Sequence, residues 1–295
     1  MENAMPAFLL PFSCRRTQQF ATAAKVGRTV QAKWQRSMKD MSKHTVASDI
    51  KRALCGKSFL TGVVGMVLVI VLSSLESIIG MARNPNPLQN GYHAQLVTDA
   101  LSADWVTMAL PILCALPFTT AFVDDIKSGF IKQFLPRSGV KPYIKGKLIA
   151  CGLSGGLVLI LGIMLAYGLS VLVFTPMELA LGPEETAPPY FAQVLMKAAL
   201  LFFSGAFWSL TGFTFAALTQ NRYMAYASPF IIYYVLIILN ERYFSDLYVL
   251  YPKEWLFPSD VWVMGGFGVI LLLAELSAIV CLGVTIVARR RLSNV

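Results

Sequence analysis

Two histidines, His44 and His93, are all that 295 residues contain, too few for most imidazole-based metal or acid–base centres. Acidic residues are scarce too, with 16 Asp and Glu against 25 Lys and Arg. The five cysteines, Cys14, Cys55, Cys114, Cys151 and Cys281, show no CxxC spacing, which argues against a disulfide framework and a zinc site. HExxH and GxSxG do not occur, so neither a zinc-protease helix nor a nucleophile elbow is encoded. Gly56-Lys57-Ser58 has the ending of a phosphate-binding loop, but the glycine needed five positions earlier is Lys51. Gly146-Lys147 fails as well, because Leu148 follows where Ser or Thr would hold magnesium. With no P-loop the chain is not expected to be an enzyme, and it binds no cofactor of its own.

Charge of either sign is also sparse. Charged residues make up 14% and hydrophobic ones 56%, with mean hydropathy +0.61, a composition that excludes ordinary soluble folds and favours a membrane protein. The net charge of +9 would suggest nucleic acid in a soluble protein. Here the basic residues sit between apolar runs and read as topology signals, so no nucleic acid is expected.

Six apolar runs approach the roughly 20 residues a bilayer requires: Phe59–Met81, Trp105–Val123, Leu148–Phe174, Leu195–Leu218, Ala225–Leu239 and Gly265–Ala288. Pro111 and Pro117 should kink the second, and Pro229 makes the fifth the weakest. Eleven basic residues precede the first run, and Arg289, Arg290 and Arg291 follow the last. The positive-inside rule therefore places both termini in the cytoplasm and His44 and His93 on opposite sides of the membrane. The expected fold is an all-α polytopic membrane protein in the plasma membrane, a bacterial cell membrane by this reading. Residues 1–44 form a basic tail and residues 45–295 the six-span domain.

Before the first span, Trp34, Met38 and Met41 share one helical face, as do Val46, Ile50 and Leu54. These predict an amphipathic helix at the inner surface, with Lys and Arg meeting anionic lipid headgroups. The first forty or so residues read equally as a disordered tail or as an over-long start with Met41 as initiator. Asn84–Asp104 and Thr175–Tyr190 are expected to be polar or proline-bearing outer connections. Glu241–Met264, rich in Tyr, Phe and Trp, either caps the bundle as short helices or forms a simple aromatic belt.

Glu275 falls near the middle of the sixth span, where a carboxylate is expensive. It either lines a transport path or meets a partner subunit, or it is a protonated structural acid. Glu76, near the outer end of the first span, is a second path candidate, although its shallow depth explains it without function. Gly152, Gly155, Gly156, Gly162 and Gly168 in the third span permit close helix contact, within the bundle or across a dimer.

The stretch Asp124–Lys147, DDIKSGFIKQFLPRSGVKPYIKGK, separates the second and third spans on the predicted inner side. Ile126, Phe130, Ile131, Phe134 and Leu135 fall at helical spacing, which predicts a short amphipathic helix ended by Pro136. In context this loop resembles that of ABC type-2 transporter permeases. The matching residues are Asp125, Gly129, Phe134 with Leu135, Pro136, Arg137, Tyr143, and Gly146 with Lys147, while Asp125 replaces the usual Glu and Pro142 is extra.

The resemblance extends in layout over about residues 45–290. It implies a subunit that pairs with a second permease subunit, identical or related, and with a cytoplasmic ATP-binding subunit carrying ATP and Mg. Ile126–Leu135 would be the coupling helix, with Phe130, Phe134 and Leu135 as apolar anchors and Lys127 and Lys132 setting register. Export is the expected direction, with membrane lipid as the surround. Two other classes stay open: an ATP-independent channel or secondary transporter using Glu275, and a membrane assembly factor without transport.

Overall fold

The computed structural model describes residues 44–83, 88–179, 190–262 and 264–292. The predicted tail and the Trp34, Met38, Met41 face lie outside these residues, as does the Arg137 side chain. Within them the chain is all-helical, with no strand among the described residues beyond one isolated bridge between Leu88 and Glu178. Residues 44–54 form α1. Then follow α2 (Lys57–Arg83), α3 (Tyr92–Ser102), α4 (Asp104–Ala115), α5 (Ala121–Lys127), α6 (Phe130–Ser138), α7 (Val140–Phe174), α8 (Tyr190–Thr219), α9 (Arg222–Arg242) and α10 (Gly265–Leu292).

Among the described residues five helices, α2, α7, α8, α9 and α10, are long and apolar enough to cross a membrane, and α3 with α4 would make a sixth if that bent pair is one span. The centre is the antiparallel pair α7 and α8, which approach at their backbones. A Cβ added to Gly155 would stand 2.9 Å from the Gly205 carbonyl oxygen and 2.5 Å from Ser209 Cβ. The Ser209 hydroxyl donates to the Cys151 carbonyl at 2.8 Å across the same contact. Gly155, Gly156 and Gly162 are thus used inside the chain, where close approach gains dispersion contact that lipid tails do not oppose, whereas Gly168 meets nothing within 4 Å among the described residues. Around this pair α2 packs on α7, α10 packs on α8, and α4 and α9 fill the remaining side.

Three expectations are corrected. The second span is not one kinked helix: α4 contains Pro111 but stops at Ala115, and turns through Thr120 lead into α5. Pro117 cannot donate to the Leu113 carbonyl and its ring crowds it. The Thr119 hydroxyl instead donates to the carbonyl of Ala115, satisfying a helix end that has no water to turn to. The connection 84–104, expected to be an outer polar or proline-bearing link, contains a packed helix, because α3 buries Ala94, Leu96, Val97, Ala100 and Leu101. Ala103 (ψ 134) breaks the helix, so α3 and α4 meet at 78°.

The third correction concerns the short inner helix. It starts at Phe130 after Gly129 (φ 72), runs through Pro136, and ends at Gly139 (φ 78, ψ 159). Both glycines hold positive-φ backbone that a side chain would resist. Pro136 removes one hydrogen bond in a short surface helix, whose Lys132 carbonyl can turn to water, so the proline does not terminate it.

The fifth span is longer than expected, with Pro229 inside α9. Asn221 caps it by accepting the Tyr223 amide at 3.0 Å. Between α9 and α10 the aromatic segment caps the bundle: Trp255 is 2% exposed and stacks on Trp208 with ring centroids 5.8 Å apart. Its indole nitrogen donates to the Val249 carbonyl of the same segment at 2.9 Å, while Tyr243 and Phe244 stay exposed.

Candidate functional site

At the end of the bundle where α1, α5 and the start of α7 meet, four charged side chains converge. In α5, Phe122 and Val123 pack inward, and the same turn carries Asp125 into the interior. In α7, Tyr143 and Lys147 are one turn apart on a single face and both are 1% exposed. Residues 49, 52 and 53 of α1 lie against them, with Asp49 and Ala53 buried.

The hydrogen bonds close a network. Asp125 Oδ1 accepts from Arg52 Nη1 at 2.9 Å, and Oδ2 accepts from the Tyr143 hydroxyl at 2.9 Å and from Lys147 Nζ at 2.8 Å. Lys147 also donates to Asp49 Oδ1 at 2.9 Å, and its ammonium lies 5.0 Å from the Phe118 ring centroid. Two carboxylates and two cations cancel, which makes the burial tolerable. Burial alone would push the Asp125 carboxyl up, but Lys147 and the donors Arg52 and Tyr143 hold it below its ordinary value. Its hydrogen bond to Asp125 in turn raises the Arg52 guanidinium.

Gly146 explains how α1 gets so close. A Cβ there would stand 2.8 Å from Asp49 Oδ2, inside the contact distance real side chains keep. The junction therefore assembles Asp125, Tyr143, Gly146 and Lys147, which the loop pattern singled out, with Asp49 and Arg52, which it missed. The signal for the missed pair was a lone acid on the apolar face of a basic amphipathic segment. Chemically the junction is a clamp: no group of three or more His, Cys, Asp or Glu that could hold a metal is found among the described residues.

The α6 helix leans on this clamp. Ile131, not one of the expected anchors, is the buried residue, at 1% exposure. Phe130 stacks on Phe134 at 5.0 Å, and Phe134 lies 6.0 Å from Tyr143. Phe134 and Leu135 are half-buried against the chain's own core, whereas Phe130 is 42% exposed. Lys127, Lys132, Gln133 and Pro136 are exposed as well, so α6 offers an outward face of one aromatic ring among polar and basic groups. Asp124 secures the base of this unit by pairing with Arg222 Nε at 2.6 Å.

The other predicted residues lie apart from the clamp. Glu275 is exposed on α10 and Glu76 is exposed on α2, two helices that pack on α8 and α7 respectively. At the far end of the bundle the structure adds Glu178, which the sequence reading overlooked. Its carboxylate accepts the amides of Gly91 and His93 at 3.0 and 2.8 Å and the His93 ring at 2.7 Å. It thereby caps the N-terminus of α3, where its negative charge meets the helix dipole. Burial would raise this carboxyl, but the His93 and Gly91 donors hold it below its ordinary value. No family model, curated protein or solved structure matches the chain.

Proposed function

We propose that the chain is the permease subunit of an ATP-driven exporter of the ABC type-2 kind, working with a second permease subunit and a separate cytoplasmic ATP-binding subunit. One observation carries the reading. Four of the residues on which the loop resembles that family, Asp125, Tyr143, Gly146 and Lys147, fold into one buried clamp that ties α1 to the loop and leaves the Phe130 side of α6 outward.

In this proposal α3 and α4 make the second of six spans, and the clamp end, with α5, faces the cytoplasm of a plasma membrane. The chain folds in keeping with that orientation: Arg222 at the start of α9 pairs with Asp124 of α5, and Arg291 of α10 donates to the Leu218 carbonyl of α8 at 2.8 Å. The predicted inner segments are thus gathered at one end, with the arginines that the positive-inside rule uses.

ATP and Mg belong to the partner, and this chain supplies the mechanical link. Phe130 enters a groove on the ATPase as the central anchor, and Lys127 and Lys132 set the register by charge. Closure of the ATPase then displaces α6. Because Asp125 is bonded to Arg52 and Lys147, α1 and the third span move with it as one body and tilt the bundle.

The test is Phe130→Asp combined with Lys132→Glu, both on exposed positions. The variant should insert in the membrane and keep its thermal transition while an ATPase no longer co-purifies in mild detergent, an affinity loss of roughly thirtyfold or more for a central anchor. Recovery of an intact complex whose ATPase activity depends on the variant chain would overturn the docking role of α6.

A further inference from the structure

α10 packs mainly on α8, and beside the start of α7 it leaves a cavity of about 360 Å³. Lys141 and Lys145 of α7 and Arg289 of α10 stand on its rim, and Leu148, Ile149 and Cys281 line its depth. All three cations are exposed, and the deeper residues are half-buried. No acidic side chain lines the cavity, and among the described residues no ion pair involves Lys141, Lys145 or Arg289. This contrasts with the neighbouring clamp, where each cation has a carboxylate.

The two ends of the cavity differ in chemistry along the helix axis. Lys141 and Lys145 are one turn apart, and Leu148 and Ile149 follow in the next turn toward the apolar run of α7. On α10 the order is mirrored: Arg289 is in the last turns and Cys281 two turns deeper. A ligand that fits must be anionic at the rim and apolar beyond it. A diacyl phospholipid with a negative phosphodiester headgroup has that form. The volume suits a phosphoglycerol group, while the acyl chains continue along the exposed apolar residues Leu282 and Ile286 of α10. A free phosphate would use the rim and leave Leu148, Ile149 and Cys281 uncovered.

We propose that this groove between α7 and α10 is a binding site for one anionic phospholipid of the inner leaflet, held by Lys141, Lys145 and Arg289. The proposal rests on the membrane reading and its orientation, and it is independent of any ATPase. Bound there, the lipid bridges α7, which carries the clamp residues, to α10, which carries Glu275.

The purified full chain is placed in detergent with equal amounts of phosphatidylglycerol and phosphatidylcholine, and the retained lipid is read by native mass spectrometry. The chain should retain one phosphatidylglycerol in preference to phosphatidylcholine. Lys141→Gln, Lys145→Gln and Arg289→Gln together should reduce that retention at least roughly tenfold. Lys127→Gln with Lys132→Gln, equally basic positions outside the groove, should leave it unchanged.

A second variant, Cys281→Trp, keeps every charge but fills the apolar depth, and it should lower retention as well. Glycerol 3-phosphate in excess should not displace the lipid. Equal retention of the two lipids, or retention untouched by both groove variants, overturns the site. Displacement by glycerol 3-phosphate assigns the rim to free phosphate and overturns the lipid.

Discussion

Lys147 Nζ lies 2.8 Å from Asp125 Oδ2, and the two side chains are 2% and 3% exposed. Asp125 carries three donors, so neutralising it leaves Lys147 with Asp49 alone and weakens the hold on Arg52 and Tyr143. Breaking a buried pair from one side costs on the order of 3–5 kcal/mol. Asp125→Asn should lower the apparent Tm in detergent by on the order of 10 °C. Asp49→Asn should cost less, because Asp49 accepts a single bond from Lys147 and its Oδ2 has no partner among the described residues. Equal Tm values for wild type and Asp125→Asn would remove the clamp as a stabilising element.

The pH dependence of that difference has a fixed sign. The Asp125 carboxyl sits below its ordinary value of 3.8 because Lys147, Arg52 and Tyr143 outweigh burial. Its contribution is therefore complete above 3.8 and is lost as pH falls through the lower folded value. The gap in Tm between wild type and Asp125→Asn should be constant over about pH 5 to 8 and should narrow only below 3.8. The Glu178 carboxyl also titrates in acid, but it is present in both proteins and cancels in the comparison. A gap that closes already near neutral pH would assign the titration to another group.

The central helix contact is tested at Gly205. A Cβ there would stand 2.8 Å from Leu159 Cδ1 and 2.9 Å from the Gly155 carbonyl oxygen, and the backbone of α7 cannot yield as a side chain can. Gly205→Val should destabilise by about 1–3 kcal/mol through overpacking. Gly168→Val, at a glycine of α7 with nothing within 4 Å among the described residues, is the control and should be near neutral. Because both variants add the same volume to a span, unequal Tm losses measure the α7–α8 contact itself. Equal losses would remove it.

What the sequence revealed follows the reach of each signal. Long apolar runs announce α2, α7, α8 and α10 because their hydropathy is local to the segment. The α3 helix stayed hidden because His93, Gln95, Thr98 and Asp99 dilute its apolar stripe Leu96, Val97, Ala100, Leu101, which is buried by α2 and α7 and not by lipid. The break at residues 116–120 depends on the Thr119 hydroxyl finding the Ala115 carbonyl, which a proline count does not contain. Half of the clamp was legible as a pattern around Asp125. Its other half was not, since Arg52 and Asp49 reach Asp125 and Lys147 across 73 and 98 residues. The lone acid on the apolar face of α1 hints at a partner, and no local pattern says which residue that is.

Glu275 tests the path. It is the eleventh residue of the 28 in α10, about 15 Å along the helix from Gly265, and it is exposed on the bundle. A charged side chain turned to lipid at that depth would cost about 2.5–3.5 kcal/mol or more, so under the proposed permease function the exposed position fits a face covered by a second permease subunit or by the transported substrate. Glu275→Gln retains the shape and removes the charge. The expected result is full membrane insertion, an unchanged Tm and an intact ATPase complex, with export lowered at least severalfold. Wild-type export by Glu275→Gln would take the carboxylate out of the path, while loss of assembly would make it part of the subunit contact.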